Sequence, residues 1–369
     1  MLESGKIDSR QAIWLMITLV IATAGVYAPA VAVNAARQDA WLSVIFATLV
    51  ALFIAWMIVI LILRFPGKTI FQIPELVLGK VPGKIIAFLF VLWLIHIEIL
   101  VFSEFGNFMI SSVLPGTPMV VNHVVAAVMI AYIARNGLEV ISRFNGLFLP
   151  FFLFSITFLA LLAFKDMDPA RLLPVFDDGL AAIMKGSAAQ IAWLGEVIAL
   201  AVIIPYLNKP GRALRVAFLA TLVSGFIMTL NVVYPLATFG PDLTASFSYP
   251  IYNAVRIISI ANFLERLEAI PVVIWITGGI IKVCLLRYAA VLGAAQCLEL
   301  EDYRPLVLPV GAVVVAGSLH MYQDVAATVA FVSDVWPFYA LTFEAGLPLL
   351  LLVVVMVRGL GSKNKGTDL

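Results

Sequence analysis

Seven ionisable side chains stand inside long apolar runs of this sequence: His96, Glu98, Glu104, Glu196, Glu268, Lys282 and Glu344. A charge at the centre of a bilayer costs at least about 2.5–3.5 kcal/mol, so each of them needs a partner or a task. His96, Ser103, Glu104, Asn107 and Ser111 fall within one helical arc of about 100°, while Glu98 points the other way. Such a stripe either lines a cavity in which Glu104 or Asn107 meets a ligand amine, or zips one helix to another. Glu196 follows Gly195 and is the only charge between Lys185 and Lys209. A ligand ammonium, a bound cation or a proton would suit it. A buried protonated carboxyl bonded to a neighbour is the plainer alternative.

Glu268, Trp275 and Lys282 recur every seven residues and so share a helix face. Glu268 and Lys282 are about 21 Å apart along the axis and cannot pair with each other. Glu268 is expected at an outer mouth with Glu265 and Arg266, and Lys282 and Arg287 are expected to snorkel to the cytoplasmic end. Glu344, eight residues after Trp336, either binds a proton or bonds a neighbouring helix. His96, Glu268, Lys282 and Glu344 are therefore candidate proton or gating positions. Enzyme-type chemistry is not expected: the sequence has no metal-ligand cluster, nucleophile elbow or phosphate loop. His96, His123 and His320 are scattered, and Cys284 and Cys297 read as packing residues. No cofactor and no metal are implied, and a net charge of +1 points to no nucleic-acid partner.

The elements that must position these side chains are membrane helices. Of 369 residues 63% are hydrophobic and 12% charged, against roughly a quarter charged in soluble domains, so lipid must cover the surface. Apolar stretches lie near 11–36, 41–63, 84–114, 119–136, 146–164, 187–207, 212–238, 269–297, 304–322 and 336–357. Each is long enough to cross roughly 30 Å of hydrocarbon as a helix, which predicts an all-α integral membrane protein of about ten spans. Lys6 and Arg10 before an apolar run, with Ala28-Pro29-Ala30 behind it, also fit a signal peptide. The run continues past Pro29 to Ala36, so it is expected to stay as span 1.

One set of loops and ends carries fifteen basic residues: Lys6, Arg10, Arg64, Lys68, Lys80, Lys84, Arg135, Arg143, Lys209, Arg212, Arg215, Arg304, Arg358, Lys363 and Lys365. The other carries six: Arg37, Lys165, Arg171, Lys185, Arg256 and Arg266. The bias places both termini in the cytoplasm. Two outer segments exceed simple turns. Residues 165–186 are rich in Asp and Pro, and residues 239–268 hold an amphipathic stretch from Tyr252 to Phe263 that would lie on the membrane or cover a vestibule.

Span 1 carries Gly25 and Pro29, and span 6 carries Gly195 beside Glu196 and then Pro205. Both spans are expected to break mid-membrane. Paired breaks five spans apart fit an inverted repeat, with repeat 1 near 11–164, repeat 2 near 187–357 and a tail over 358–369, in one polytopic domain. The N–H groups freed at such breaks would hold a carboxylate.

Two stretches carry a resemblance. One is Phe65-Pro66-Gly67-Lys68-Thr69 running on to Glu75-Leu76-Val77-Leu78-Gly79-Lys80 after span 2. The other is Phe263-Leu264-Glu265-Arg266-Leu267-Glu268-Ala269, with Trp275 and Lys282 behind it. With the length and layout, they resemble the B subunits of endospore germinant receptors, spore germination proteins related to the amino acid–polyamine–organocation transporters. The resemblance implies a five-plus-five inverted-repeat fold of the leucine-transporter type. It implies a small germinant, typically an amino acid, bound between spans 1, 3, 6 and 8. It also implies an A subunit and a lipoprotein C subunit as partners in the inner spore membrane. Carried onto this chain, the pocket would use Thr23, Ala24, Gly25 and Tyr27, Glu104 and Asn107, and Trp193, Gly195 and Glu196.

The alternative function is a proton- or sodium-coupled secondary amino-acid transporter. Transporters of that fold often place hydroxyls on span 8 for sodium, or a mid-membrane Lys on span 5. Here mid-span 8 offers only Thr277, and span 5 has no Lys before Lys165. A pore is the weakest reading, for want of an acidic or basic ring.

Overall fold

The computed structural model describes residues 3, 5–258, 267–322 and 324–361. The tail beyond 361, residues 259–266 with Glu265 and Arg266, and the second half of the Tyr252–Phe263 stretch lie outside the described residues.

The described chain is helical throughout its length. Helix α1 runs Ser9–Ala36 and α2 Ala40–Leu63, joined by a 3-10 turn at Arg37–Asp39. A short α3, Ile73–Leu78, leads into α4, Lys80–Phe108, whose outer end tightens into a π turn at Met109–Val113. Then come α5, Met119–Arg135, and α6, Gly137–Ala163. The sixth long rod is α7, Gly179–Gly195, continued by a 3-10 turn at Glu196–Ala199, by α8, Leu200–Ile203, and by Ile204–Tyr206. Helix α9 spans Ala213–Phe239, with short α10, Pro241–Ser246, and α11, Pro250–Arg256, behind it. Helix α12 is Ala269–Cys297 and α13 Val307–His320. The last rod is α14, Val325–Ala330, α15, Trp336–Leu341, and α16, Leu347–Val357, linked by π turns at Phe331–Val335 and Thr342–Gly346.

Seven helical segments among the described residues are long and apolar enough to cross a membrane. The first, Ser9–Leu63, is 55 residues long and holds both α1 and α2. Two shorter apolar helices, Met119–Arg135 and Arg304–His320, complete the set. Large exposed side chains such as Phe53, Val128, Leu147, Phe154 and Phe226 belong where lipid is the solvent. The chain is thus a multi-pass α-helical membrane protein.

Local signals set the start of the bundle. Asp8 and Gln11 close a reciprocal capping box on α1, Asp8 Oδ1 accepting from Gln11 N–H at 2.7 Å and Gln11 Oε1 from Asp8 N–H at 2.9 Å. Just before it, Ile7 pairs with the strand-like exit of the sixth rod: its N–H donates to Tyr206 O at 3.0 Å, and Asn208 N–H donates to Ile7 O at 2.9 Å. Residues 5–8 are thereby strapped across the N-terminal end of the bundle. Glu3 Oε2 accepts from Tyr303 Oη there as well.

Of the paired breaks expected in spans 1 and 6, the one in span 1 is not present, whereas in span 6 the α-helix ends at Gly195 and resumes at Leu200 after a 3-10 turn. Helix α1 runs unbroken through Gly25 and Pro29. Proline removes one backbone bond, and close neighbours make that tolerable in a membrane helix. Gln190 on α7 donates to the Ala28 carbonyl at 3.2 Å. In the sixth rod, Gly195 and Glu196 both keep right-handed helical angles, and the chain only tightens from α to 3-10. No helix end opens at mid-membrane for a carboxylate in the described state.

Candidate functional site

Helices α1, α4 and α12 and the turn at Glu196 converge in the middle of the bundle, and Lys282, Glu196 and Thr23 meet there. Lys282 on α12 does not snorkel. It is 1% exposed, and its ammonium donates to both carboxylate oxygens of Glu196 at 2.7 Å and to Thr23 Oγ1 at 2.6 Å. Three donors meeting three acceptors is the condition under which a buried pair offsets its desolvation. Lys282 turns inward because the stem would have to cross most of a leaflet to reach water, whereas Glu196 is one hydrogen bond away.

Arg287, one helical turn and a residue further on, also departs from the snorkelling expectation. Its Nε donates to Glu98 Oε2 at 3.0 Å, Nη2 lies 2.6 Å from Glu98 Oε1, and Nη1 donates to Val307 O at 3.0 Å. Glu98 does point away from the His96 stripe, but into α12 and not into lipid. Neither pairing was read from the sequence. The signal was available: two acids and two bases stranded in lipid call for mutual neutralisation.

The remaining positions divide. Glu104 is buried and lies within electrostatic reach of Lys282 and Glu196. Gly195 presents its bare Cα to Glu344, since a Cβ there would fall 2.3 Å from Glu344 Oε2. Gly25 does the same for Trp275, with a Cβ 3.1 Å from the indole Nε1. Ala24 and Trp193 are buried on α1 and α7. Asn107 donates to Thr328 Oγ1 at 3.0 Å, a bond between two helices. His96 sits between Tyr322 Oη and Tyr339 Oη at 3.0 Å each, on the far side of the stripe from the Lys282 pair. Glu268 is half-buried at the head of α12, almost four turns from Lys282. The polar stripe of span 3 thus serves two ends: Glu104 turns to the charge cluster, while His96, Ser103 and Asn107 bind the last two rods.

An aromatic cap covers the cluster on the side away from residues 5–8. Tyr27 meets Tyr249 with centroids 5.6 Å apart, and Phe108 stands edge-on to Tyr249, Tyr252 and Trp275 at 5.1, 5.6 and 5.3 Å. Tyr249 and Phe108 were not picked out in the sequence, because an aromatic among many apolar neighbours carries no mark of its role. Above the cap, Ser111, Ser112, Ser248, Tyr249, Tyr252, Asn253 and Arg256 line a polar cavity of about 370 Å³. Helix α11, with Ile251, Ala254 and Val255 buried, forms one wall of it, so the described part of the amphipathic stretch covers a vestibule. On the side of Glu196 away from the cap a hollow of about 20 Å³ remains, walled by Leu19, Trp93, Ile97 and Leu286.

A family model described as spore germination protein matches residues 6–325. Spore germination protein KB of Bacillus subtilis (strain 168) is 24% identical over 376 residues, covering 100% of this chain and 99% of that protein. The putative spore germination protein YfkT of the same organism is 26% identical, covering 92% and 93%. Among solved structures, MhsT in complex with L-phenylalanine superposes with a TM-score of 0.66 at 14% identity, over 97% of this chain and 91% of that one. At that identity the likeness is one of fold, the helical arrangement of the leucine-transporter type.

Proposed function

The chain belongs to the spore germination protein family, and on that premise we propose that it is the germinant-sensing B-type subunit of a spore germination receptor, binding a small amino acid at mid-membrane. The observation that carries the site is the Lys282–Glu196–Thr23 contact. In the resting state the protein's own ammonium holds the carboxylate. A ligand ammonium entering below the aromatic cap replaces it, with Glu104 as the second acid and Tyr27 and Trp275 against the rest of the molecule. The exchange needs the cap to open, because the residual hollow is far smaller than an amino acid. MhsT's bound L-phenylalanine supports a ligand of this class by analogy of fold only.

In this reading α1 and α2 are two spans and the two shorter apolar helices are spans as well, giving ten, in two inverted halves with both termini cytoplasmic. Residues 5–8 then latch the inner side and the aromatic cap closes the outer side, an occluded sensor. The membrane is the inner membrane of the spore, and the A and lipoprotein C subunits are its partners.

The second reading is a coupled amino-acid transporter. A fixed ammonium 2.6 Å from Thr23 keeps a sodium ion from that place between α1 and α12, which disfavours sodium coupling. Proton coupling stays open through the buried carboxyls.

The test is a thermal-shift screen of the purified protein against the common L-amino acids, repeated on Glu196→Gln and Gly25→Ala. Stabilisation of the wild type by one class, lost in both variants, is expected. Equal stabilisation in all three proteins would move the site elsewhere. Ion-driven uptake by the lone chain in proteoliposomes would favour the transporter.

A further inference from the structure

Glu344 has no role in the exchange just described, yet its setting is costly. It is 0% exposed, and neither carboxyl oxygen has a hydrogen-bond partner among the described residues. A π turn, Thr342–Gly346, swings it out of the last rod and onto the bare Cα of Gly195, next to Glu196. Single π turns of this kind recur at functional positions. An ionised carboxylate left without a donor in low dielectric is prohibitive, so the group must carry a proton as described here.

The neighbouring charges fix what would remove it. From the 3-10 turn, Glu196 faces Glu344, and Lys282 acts on it across that acid. Helix α2, packed against α16, has no ionisable side chain, and α7 has only Lys185, exposed near its outer start. In α15 the titratable group is Tyr339, which is engaged by His96, and on α4 Glu98 is engaged by Arg287. Glu104 reaches the same lysine from the cap side, where the ligand enters. Once Lys282 is released from Glu196, its ammonium needs another carboxylate, and Glu344 is the unpartnered acid on the side away from the cap.

We propose that Glu344 is a proton-binding site, loaded while Lys282 is locked on Glu196 and emptied when that lock opens. The O–H bond of Glu344 breaks, the proton leaves to water, and the electron pair stays on the carboxylate that pairs with Lys282 Nζ. Each opening of the lock therefore releases one proton from the membrane core. The release step rests on the exchange proposed above; the loaded site does not.

The test needs no ligand. Infrared spectra of the reconstituted protein are expected to show a protonated-carboxyl C=O absorption that is lost in Glu344→Gln and kept in Glu104→Gln. In Glu196→Gln, where the lysine has lost its fixed acid, the same absorption is expected to vanish. A wild-type spectrum unchanged by Glu344→Gln would overturn the site. Survival of the Glu344 absorption in Glu196→Gln, or loss of a Glu104 absorption in its place, would overturn the coupling. If Glu344→Gln does not accumulate in membranes, Glu344→Asp must shift the absorption, and an unshifted one counts against the site. Loss of amino-acid stabilisation with these spectra intact would sink only the ligand reading.

Discussion

Truncating Lys282 leaves Glu196 without its donor in the membrane core. Lys282→Met is expected to cost about 3–5 kcal/mol, whereas Lys282→Met with Glu196→Gln recovers most of it, because an unpaired buried charge costs more than a lost pair. Unfolding of the detergent-solubilised proteins measures the cycle, and additive losses would mean that the two residues are not coupled. The pair shows how far single residues were readable. Each acid and base in the apolar runs was visible as an anomaly, and Glu104 and Glu196 were placed in the site on that ground. The partners were not visible, since Lys282 and Glu196 are 86 residues apart and helical phase alone cannot say which rods touch. Gly25 and Gly195 read as weak points of a helix; α7 does end at Gly195, whereas α1 runs through Gly25, and at both the absent side chain makes room, for Glu344 and Trp275 respectively. Gly25→Ala is expected to press on the indole and cost about 1–3 kcal/mol; a neutral result would show that Trp275 moves freely.

At the scale of elements, apolar runs located the rods better than their starts. Helix α12 matches its run at both ends, while α6 begins at Gly137 and the last rod at Val325, about ten residues ahead of the runs near 146 and 336. Glu139, Arg143 and Asn145 in one case, and Asp324 and Asp334 in the other, lower the hydropathy without stopping the helix. Helix α3 was not foreseen either. It crosses α4 where Gly83 has no side chain, and a Cβ there would fall 2.3 Å from the Glu75 Cα. Backbone cannot yield as a side-chain tip can. Gly83→Ala is therefore expected to destabilise by more than Gly195→Ala, whose clash meets the end of a flexible arm. Comparative unfolding midpoints decide this, and the reverse order would refute the rigid crossing.

For the whole molecule, the all-helical membrane architecture followed from composition, because 63% hydrophobic residues leave no soluble alternative. How the rods close around the site did not follow from it. The cap joins residues from α1, α4, α12 and the Tyr249–Tyr252 segment, which are remote in sequence. The basic bias across loops gives an expectation for sidedness. In right-side-out vesicles, cysteines placed at Arg256 should react with an impermeant thiol reagent, and cysteines at Arg212 should not. Labelling of the second alone would invert the topology.

The strap formed by Ile7 with Tyr206 and Asn208 joins two parts of the molecule by backbone alone, independent of side-chain identity. Such a joint behaves as a zipper pull: one amide drawn out of register loosens everything that hangs on it. Ile7→Pro deletes the donor to Tyr206 while leaving the central charges in place, so water should reach Glu196 from below without any agonist. On the receptor reading proposed above, spores carrying that substitution would be expected to wake prematurely, with hydrogen exchange rising first along residues 196–206.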